Sequence, residues 1–239
     1  MAANIGSMGI AAGAGILVAR LLGPEGRGQF AAIVVWATLA SALGDLGVSQ
    51  STGFYGAKRP REAHQVAGTA VALTAVSGAV LVAILELLAG RIFGAGIAGA
   101  ARIYLLSVPF SMVSTCLGAM MLGMGHFGRF NLIKTAQAAG YAAGIVGAWA
   151  VGAGRVGSLL TGILWFQIAV TGVAVRCASD AAPVSRWRVD LATAKDLLRY
   201  GIRTWAGNLC WLANGRLDQA LLAWMAPIGE LGIYAVAVK

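Results

Sequence analysis

Apolar residues fill long stretches of this chain, and the polar ones gather between them. Seven runs, near 5–22, 29–48, 66–90, 103–125, 130–152, 156–175 and 203–226, approach or exceed the ~20 residues a helix needs to cross ~30 Å of hydrocarbon. An eighth begins at 230–239. None alternates with the period of two that a half-buried strand requires, and small residues recur at four-residue spacing, as in packed membrane helices. The pattern predicts an all-α polytopic membrane protein. Gly9/Gly13 and Gly140/Gly144 are candidate close-packing pairs, and Pro109 is expected to kink the fourth helix.

Composition agrees: 59% of residues are hydrophobic, 11% are charged and the mean hydropathy is +0.78, far from the roughly 25% charged average of soluble domains. A net charge of +9 would suggest nucleic acid in a soluble protein. Here the basic residues lie between apolar runs, where they set topology. Lys58, Arg59, Arg61, Arg129, Lys134, Arg176, Arg186, Arg188, Lys195, Arg199 and Arg203 fall on one side of the predicted membrane. Arg20, Arg27, Arg91, Arg102 and Arg155 fall on the other. The excess places the N-terminus in the cytoplasm.

The segment from Arg176 to Tyr200 is the longest polar connection and separates six helices from the seventh. Residues 1–175 are accordingly expected as one transmembrane unit, 176–202 as a basic amphipathic cytoplasmic linker, and 203–239 as the start of a second unit. Leu191, Ala194 and Leu198 can face lipid while Arg188, Lys195 and Arg199 face water and phosphates. Trp205 and Trp224, near the ends of the seventh helix, fit the aromatic belts of the membrane interfaces.

Soluble-type chemistry finds little support. Cys116, Cys177 and Cys210 lack CxxC spacing, His64 and His126 lack a metal or catalytic context, and no triad order is recognisable. Two GxGxxG strings, Gly94–Gly99 and Gly152–Gly157, join membrane helices and read as turns, not as dinucleotide sites. No cofactor or metal is implied.

The seventh run carries Asn214, Arg216 and Asp218 at its middle, where an ionised group costs roughly 2.5 to 3.5 kcal/mol by insertion scales. Asn214 and Asp218 share a helix face while Arg216 projects from nearly the opposite one, so each charge wants a partner elsewhere. Substrate or coupling contacts compete with structural ones: Arg216 paired to Asp45 or Glu86, and Asp218 hydrogen-bonded to Asn214. Gly28, Phe30 and Ala31 also match Gly232, Tyr234 and Ala235, an offset that lays 5–22 onto 209–226. Internal repeats of this kind build many transporters. A second repeat therefore begins here, and the chain is expected to continue beyond Lys239.

Three strings go further. They are Ala19-Arg20-Leu-Leu-Gly23-Pro24-Glu25-Gly26-Arg27-Gly28, a helix end and Gly-Pro turn with Glu25 within reach of either arginine; Asp45-Leu-Gly47-Val-Ser-Gln; and Asn214-x-Arg216-Leu-Asp218 followed by Glu230-Leu-Gly-Ile-Tyr234-Ala. Together they resemble the polysaccharide-biosynthesis flippases of the multidrug/oligosaccharidyl-lipid/polysaccharide exporter superfamily. The resemblance implies a six-helix N-lobe of a MATE-like two-lobe transporter, plus the seventh helix and the start of the eighth. It implies translocation of undecaprenyl-diphosphate-linked oligosaccharide across the cytoplasmic (inner) membrane by alternating access, without enzymatic chemistry. Arg216, Asp218, Asn214, Arg20 and Asp45 become the substrate or translocation residues. Membrane lipids and a polysaccharide polymerase or glycosyltransferase become expected partners, and coupling to a proton or sodium gradient stays open. A cation-coupled drug exporter on the same lobes is the nearest rival, and an inactive fragment of a flippase is another. A membrane glycosyltransferase would need a long loop bearing carboxylates or His, and no such loop is present.

Overall fold

The computed structural model describes residues 2–150 and 155–225; within the helices, the side chains of residues 2–8, 11, 95, 211–220, 223 and 224 lie outside the described residues. The described residues form helices α1 (Ala2–Asp45), α2 (Val48–Lys58), α3 (Ala63–Leu105), α4 (Ser107–Gly123), α5 (Phe127–Ala150), α6 (Val156–Ser179) and α7 (Leu191–Met225), with short 3-10 turns at Pro60–Glu62 and Val184–Arg186 and no strand. Among them, Ala12–Asp45, Pro60–Gly94, Gly96–Gly123 and Val156–Ser179 are long and apolar enough to cross a membrane. The protein is an all-α polytopic membrane protein.

The two longest helices are each interrupted. Gly23 (φ 66°, ψ −178°) and Gly94 (φ 69°, ψ 167°) adopt a conformation that only glycine takes without strain, so both helices break there. At Gly94 the chain folds back. Glu86 and Arg102 lie eight residues to either side, about 24 Å apart along a straight helix. Yet Glu86 Oε2 is 3.4 Å from Arg102 Nε. Further down the same hairpin, Gly78 lies so close to Pro109 that a Cβ on it would sit 2.9 Å from the Pro109 Cα. The glycine string at Gly94, read as a turn, thus begins at a true break; Gly152 and Gly154 of the other string lie outside the described residues. Pro109 supplies no N–H for the Leu105 carbonyl, and the helix is interrupted between Leu105 and Ser107, as expected of a kink.

The largest buried cluster joins both arms of α1 (Val18, Phe30, Ile33) to both arms of the Gly94 hairpin (Leu85, Leu105, Val108) and to α5 and α6 (Ile145, Leu159, Leu160). Close packing of α5 on α6 runs through one of the two predicted glycine pairs. A Cβ at Gly140 would be 2.9 Å from Val170 Cγ2, and one at Gly144 would be 2.7 Å from the Ile163 Cα. Among the described residues, a Cβ at Gly9 or Gly13 would meet nothing within 4 Å.

Two features depart from the sequence expectation. First, α2 stands where a connection was expected. It is short and rich in Ser, Thr and Gly, and it fits into the bundle because Gly53 and Gly123 let α2 and α4 meet backbone to backbone. Second, α7 is one continuous helix of 35 residues, so the expected linker boundary at 202/203 falls inside regular helix. Its first turns pack in part on the bundle, although Leu191 stays exposed. Leu197 is fully buried, Leu198 packs beside it, and their neighbours are Val48, Val66, Ala70 and Cys116; Lys195 and Arg199 stay exposed. Asp190 starts α7, accepting the Thr193 N–H and hydroxyl at 2.7 Å each, which holds its carboxyl below the usual range despite a small opposing effect of burial.

The polar ends sort into two groups. Arg59 bonds Asp196 at 2.9 Å, Arg129 and Arg176 share Asp180, and Gly68 packs on the Arg188 backbone. This end therefore carries the more basic set. At the other end lie the breaks at Gly23 and Gly94, linked by contacts of Gly26 with Val156 and of Gly157 with Ala100.

Candidate functional site

Helix spacing alone brings oxygen atoms onto two facing surfaces. On the second arm of α1, Thr38, Ser41 and Asp45 follow at intervals of three and four and share one face; across α4, Ser107, Ser111 and Thr115 follow at intervals of four and share another. These faces meet. Ser41 Oγ and Ser111 Oγ are 3.4 Å apart, at the wall of a cavity of about 360 Å³ closed on its third side by Trp205, Asn208 and Leu209 of α7. A smaller cavity of about 130 Å³ shares Thr38, Ser41 and Ser111 and reaches Tyr104, Ser107 and Gln167. The hydroxyls of Thr38, Ser41 and Ser111 donate to the Val34, Ala37 and Val108 carbonyls of their own helices, so these polar atoms are satisfied within the bundle while their oxygens line the cavity.

The backbone break after Asp45 shapes the cavity floor. Leu46 (φ 47°) and Gly47 (φ 73°) are left-handed, and Asp45 Oδ1 then accepts the Ser49 N–H (3.2 Å) and the Ser49 hydroxyl (2.5 Å), starting α2. Any side chain at Gly47 would collide with the Gly201 carbonyl, and a Cβ at Gly201 would be 2.7 Å from the Leu46 oxygen. Helix α7 thus crosses the break with no room to spare. One turn on, the Trp205 indole N–H donates to the Ala42 carbonyl at 2.9 Å. Trp205, expected near a membrane interface, also forms part of the cavity wall. Farther along the crossing, Phe54 stacks on Tyr200 (4.4 Å, 11°), and Lys58 and Arg59 lie over the Phe54 and Tyr55 rings.

Of the residues singled out from sequence, Asp45 lies in the cavity, partly buried. Arg20 does not: it is exposed near the Gly23 break, away from Asp45, and among the described residues no ion pair joins Glu25 to Arg20 or Arg27. Asn214, Arg216 and Asp218 fall on regular helix, and their side chains lie outside the described residues. Glu86, one proposed partner for Arg216, is engaged by Arg102. Trp224 and the repeat match at Gly232, Tyr234 and Ala235 lie outside the described residues too.

Sequence reasoning missed two things. The hydroxyl faces went unremarked because Ser and Thr in an apolar helix bond their own backbone and pass as small residues; their three-four spacing was the available signal. Arg27, read as part of a loop tip, is only 4% exposed, lies over Phe30 at 5.7 Å, and has an Nε without a hydrogen-bond partner.

The family whose description is "Polysaccharide biosynthesis protein" matches residues 1–239. The chain belongs to this polysaccharide biosynthesis protein family. A solved structure described as "protein A" superposes with a TM-score of 0.74 at 18% identity, over 98% of this chain and 58% of that one. That likeness shows a shared fold, and the chain spans little more than half the length of that relative. Comparison with curated proteins gave no match. Within the family's frame, the hydroxyl-lined cavity is the site where α1, α4 and α7 meet. Among its described lining residues Asp45 is the one ionisable group, and none is basic.

Proposed function

We propose that the protein translocates an undecaprenyl-diphosphate-linked oligosaccharide across the cytoplasmic membrane by alternating access, as a transporter without enzymatic turnover. The observation that carries this reading is a hydroxyl-rich cavity inside a membrane bundle of the polysaccharide biosynthesis family. Sugars are read by groups of this kind, and Asp45, Ser41, Ser111 and Asn208 offer acceptors and donors at a depth where lipid offers none. The N-terminus is assigned to the cytoplasm, because the more basic end of the bundle then faces inward. Lipid-linked sugar and membrane lipids are its ligands, with a polysaccharide polymerase or glycosyltransferase as neighbours in the same process.

The wall described here reads sugar but cannot neutralise a diphosphate, so that task falls to Arg216, with Asn214 and Asp218 beside it on α7. Guanidinium stays charged at accessible pH and grips phosphate with two parallel donors. In the full-length protein, Arg216→Gln should abolish export of lipid-linked sugar while leaving thermal stability near wild type, and Arg216→Lys should be intermediate. A loss of stability of roughly 3 to 5 kcal/mol, rescued by neutralising a carboxylate, would instead make Arg216 structural. Normal export by Arg216→Gln would favour the cation-coupled exporter, the rival that an acidic, cation-free wall around Asp45 supports.

A further inference from the structure

We propose that Trp205 is a sugar platform: one ring of the lipid-linked oligosaccharide stacks on its indole face while the hydroxyls of that ring reach the polar row on α1 and α4. The assignment rests on the translocation reading above and adds the residue that tells a sugar-bearing carrier from a bare one.

The indole is held by its edge. Its N–H donates to the Ala42 carbonyl at 2.9 Å, and Ala42 lies in the last turn of α1, where carbonyls are open to partners outside the helix. That bond uses the one donor an indole has, so what Trp205 offers the cavity it lines is its π-face. A large ring fixed in this way meets a ligand with little further loss of side-chain freedom.

The anchor point lies midway along an elongated polar row. Thr38 and Asp45 are ~10 Å apart along the helix, too far to converge on one ion, and Ala42 stands between them. Thr38, Ser41 and Ser111 give their protons to their own helices, so toward a ligand their oxygens act as acceptors. Asn208, one turn along α7 from Trp205, adds an amide that both donates and accepts.

A pyranose has the complementary form. Its ring C–H groups, slightly positive, suit the negative face of an aromatic ring, and its hydroxyls project from the edge as donors. Met112 and Leu209 extend the apolar part of the wall, and a cavity of about 360 Å³ lies in the size range of small-molecule sites. The alternatives fit less of the wall. An acyl chain would set hydrocarbon against the Asp45 carboxylate, and a lipophilic cation would use the ring and Asp45 but leave the row of acceptors and Asn208 unanswered.

The test uses full-length protein in lipid nanodiscs and compares binding of bare undecaprenyl diphosphate with carriers bearing one glucose, galactose or N-acetylglucosamine. Wild type should bind at least one sugar-bearing carrier about tenfold more tightly than the bare carrier. Trp205→Leu, which keeps apolar bulk and loses the ring, should bring that ratio to about one. Trp205→Phe, which keeps a ring and loses the N–H, should retain about threefold. A residue that only props α7 against α1 would weaken both kinds of carrier alike and leave the ratio intact. With fluorotryptophan incorporated, the resonance of position 205, identified by its loss in Trp205→Phe, should shift with sugar-bearing carrier and stay with bare carrier. That measurement decides the matter should Trp205→Leu fail to accumulate. No wild-type preference for any of the sugars, a ratio unchanged in Trp205→Leu, or a resonance shifted equally by bare carrier each overturns the platform. Flipping of the same carriers in vesicles separates the two readings. Normal flipping by wild type with an unchanged ratio in Trp205→Leu removes the platform alone; a ratio lost in Trp205→Leu with no flipping by wild type removes translocation alone.

Discussion

Replacing Gly201 with alanine adds one methyl group where α7 crosses the broken end of α1, and the structure sets the consequence. The new Cβ would stand 2.7 Å from the Leu46 oxygen and 2.8 Å from the Gly47 carbonyl group, all backbone atoms that cannot rotate away. Ordinary contact begins near 3.4 Å, so α7 must withdraw by about 0.7 Å. Overpacking of this kind costs ~1 to 3 kcal/mol. Trp205 lies one turn further on, and its 2.9 Å bond to Ala42 would stretch past useful length, a loss of about 1 kcal/mol. Against this stands the better helix propensity of alanine, worth ~1 kcal/mol. The balance is a destabilisation of about 1 to 3 kcal/mol, or roughly 3 to 10 °C in melting temperature. Gly207→Ala is the internal control. It lies on the same helix with nothing within 4 Å, so it gains propensity without a clash and should be neutral or stabilising. Thermal unfolding of both purified variants decides the matter. A Gly201→Ala protein as stable as Gly207→Ala would refute the crossing.

Two further outcomes follow from described contacts. The Asp190 carboxyl titrates lower folded than unfolded, so its contribution to α7 is present above the unfolded value near ~4 and is lost as pH falls through the lower folded value. Amide exchange in the first turn of α7 should therefore accelerate in acid, and Asp190→Asn should flatten that dependence; equal acid sensitivity in the variant would discard the cap. Cys116 and Cys177 are buried and Cys210 is exposed. A maleimide should thus modify Cys210 first in folded protein, and prior modification of Cys116 would contradict the packing of α4 on α2.

The sequence made some of this architecture legible and concealed the rest for physical reasons. Long apolar runs announced the helices, and glycine marked both breaks, because Gly23 beside Pro24 and Gly94 within a glycine string are poor places to continue a helix. Helix α2 was hidden, since Ser49, Ser51 and Thr52 look like loop residues until α4 presents a backbone they can pack against. The join of linker and seventh helix was hidden too: the polarity of 188–203 suggested an interface, whereas Leu197 docks on Val48 and Val66 and keeps the helix running. At the site, Asp45 was visible as a charge near a helix end. Ser41 and Ser111 were not, because one neighbouring hydroxyl means little and their meaning comes from the 3.4 Å that separates two different helices. Arg27 looked solvated by its place in a turn, yet it is buried and lies over the Phe30 ring.

The unbroken course of α7 has a mechanical consequence. From Gly201, where it bears on the break in α1, about 15 Å of rod runs back to Leu191 and about 36 Å runs forward to Met225. The short arm is tied down by Asp190, Leu197 and the Arg59–Asp196 pair, while the long arm carries Arg216. A glycine-on-glycine contact makes a fulcrum, because it has no side chains to cushion it. A tilt of about 5° around that point would carry the tip some 3 Å sideways and move Trp205 and Asn208 at the cavity wall by less than 1 Å. Small changes beside Asp45 and larger ones at the far end of α7 are then the same motion, seen at two distances from its pivot.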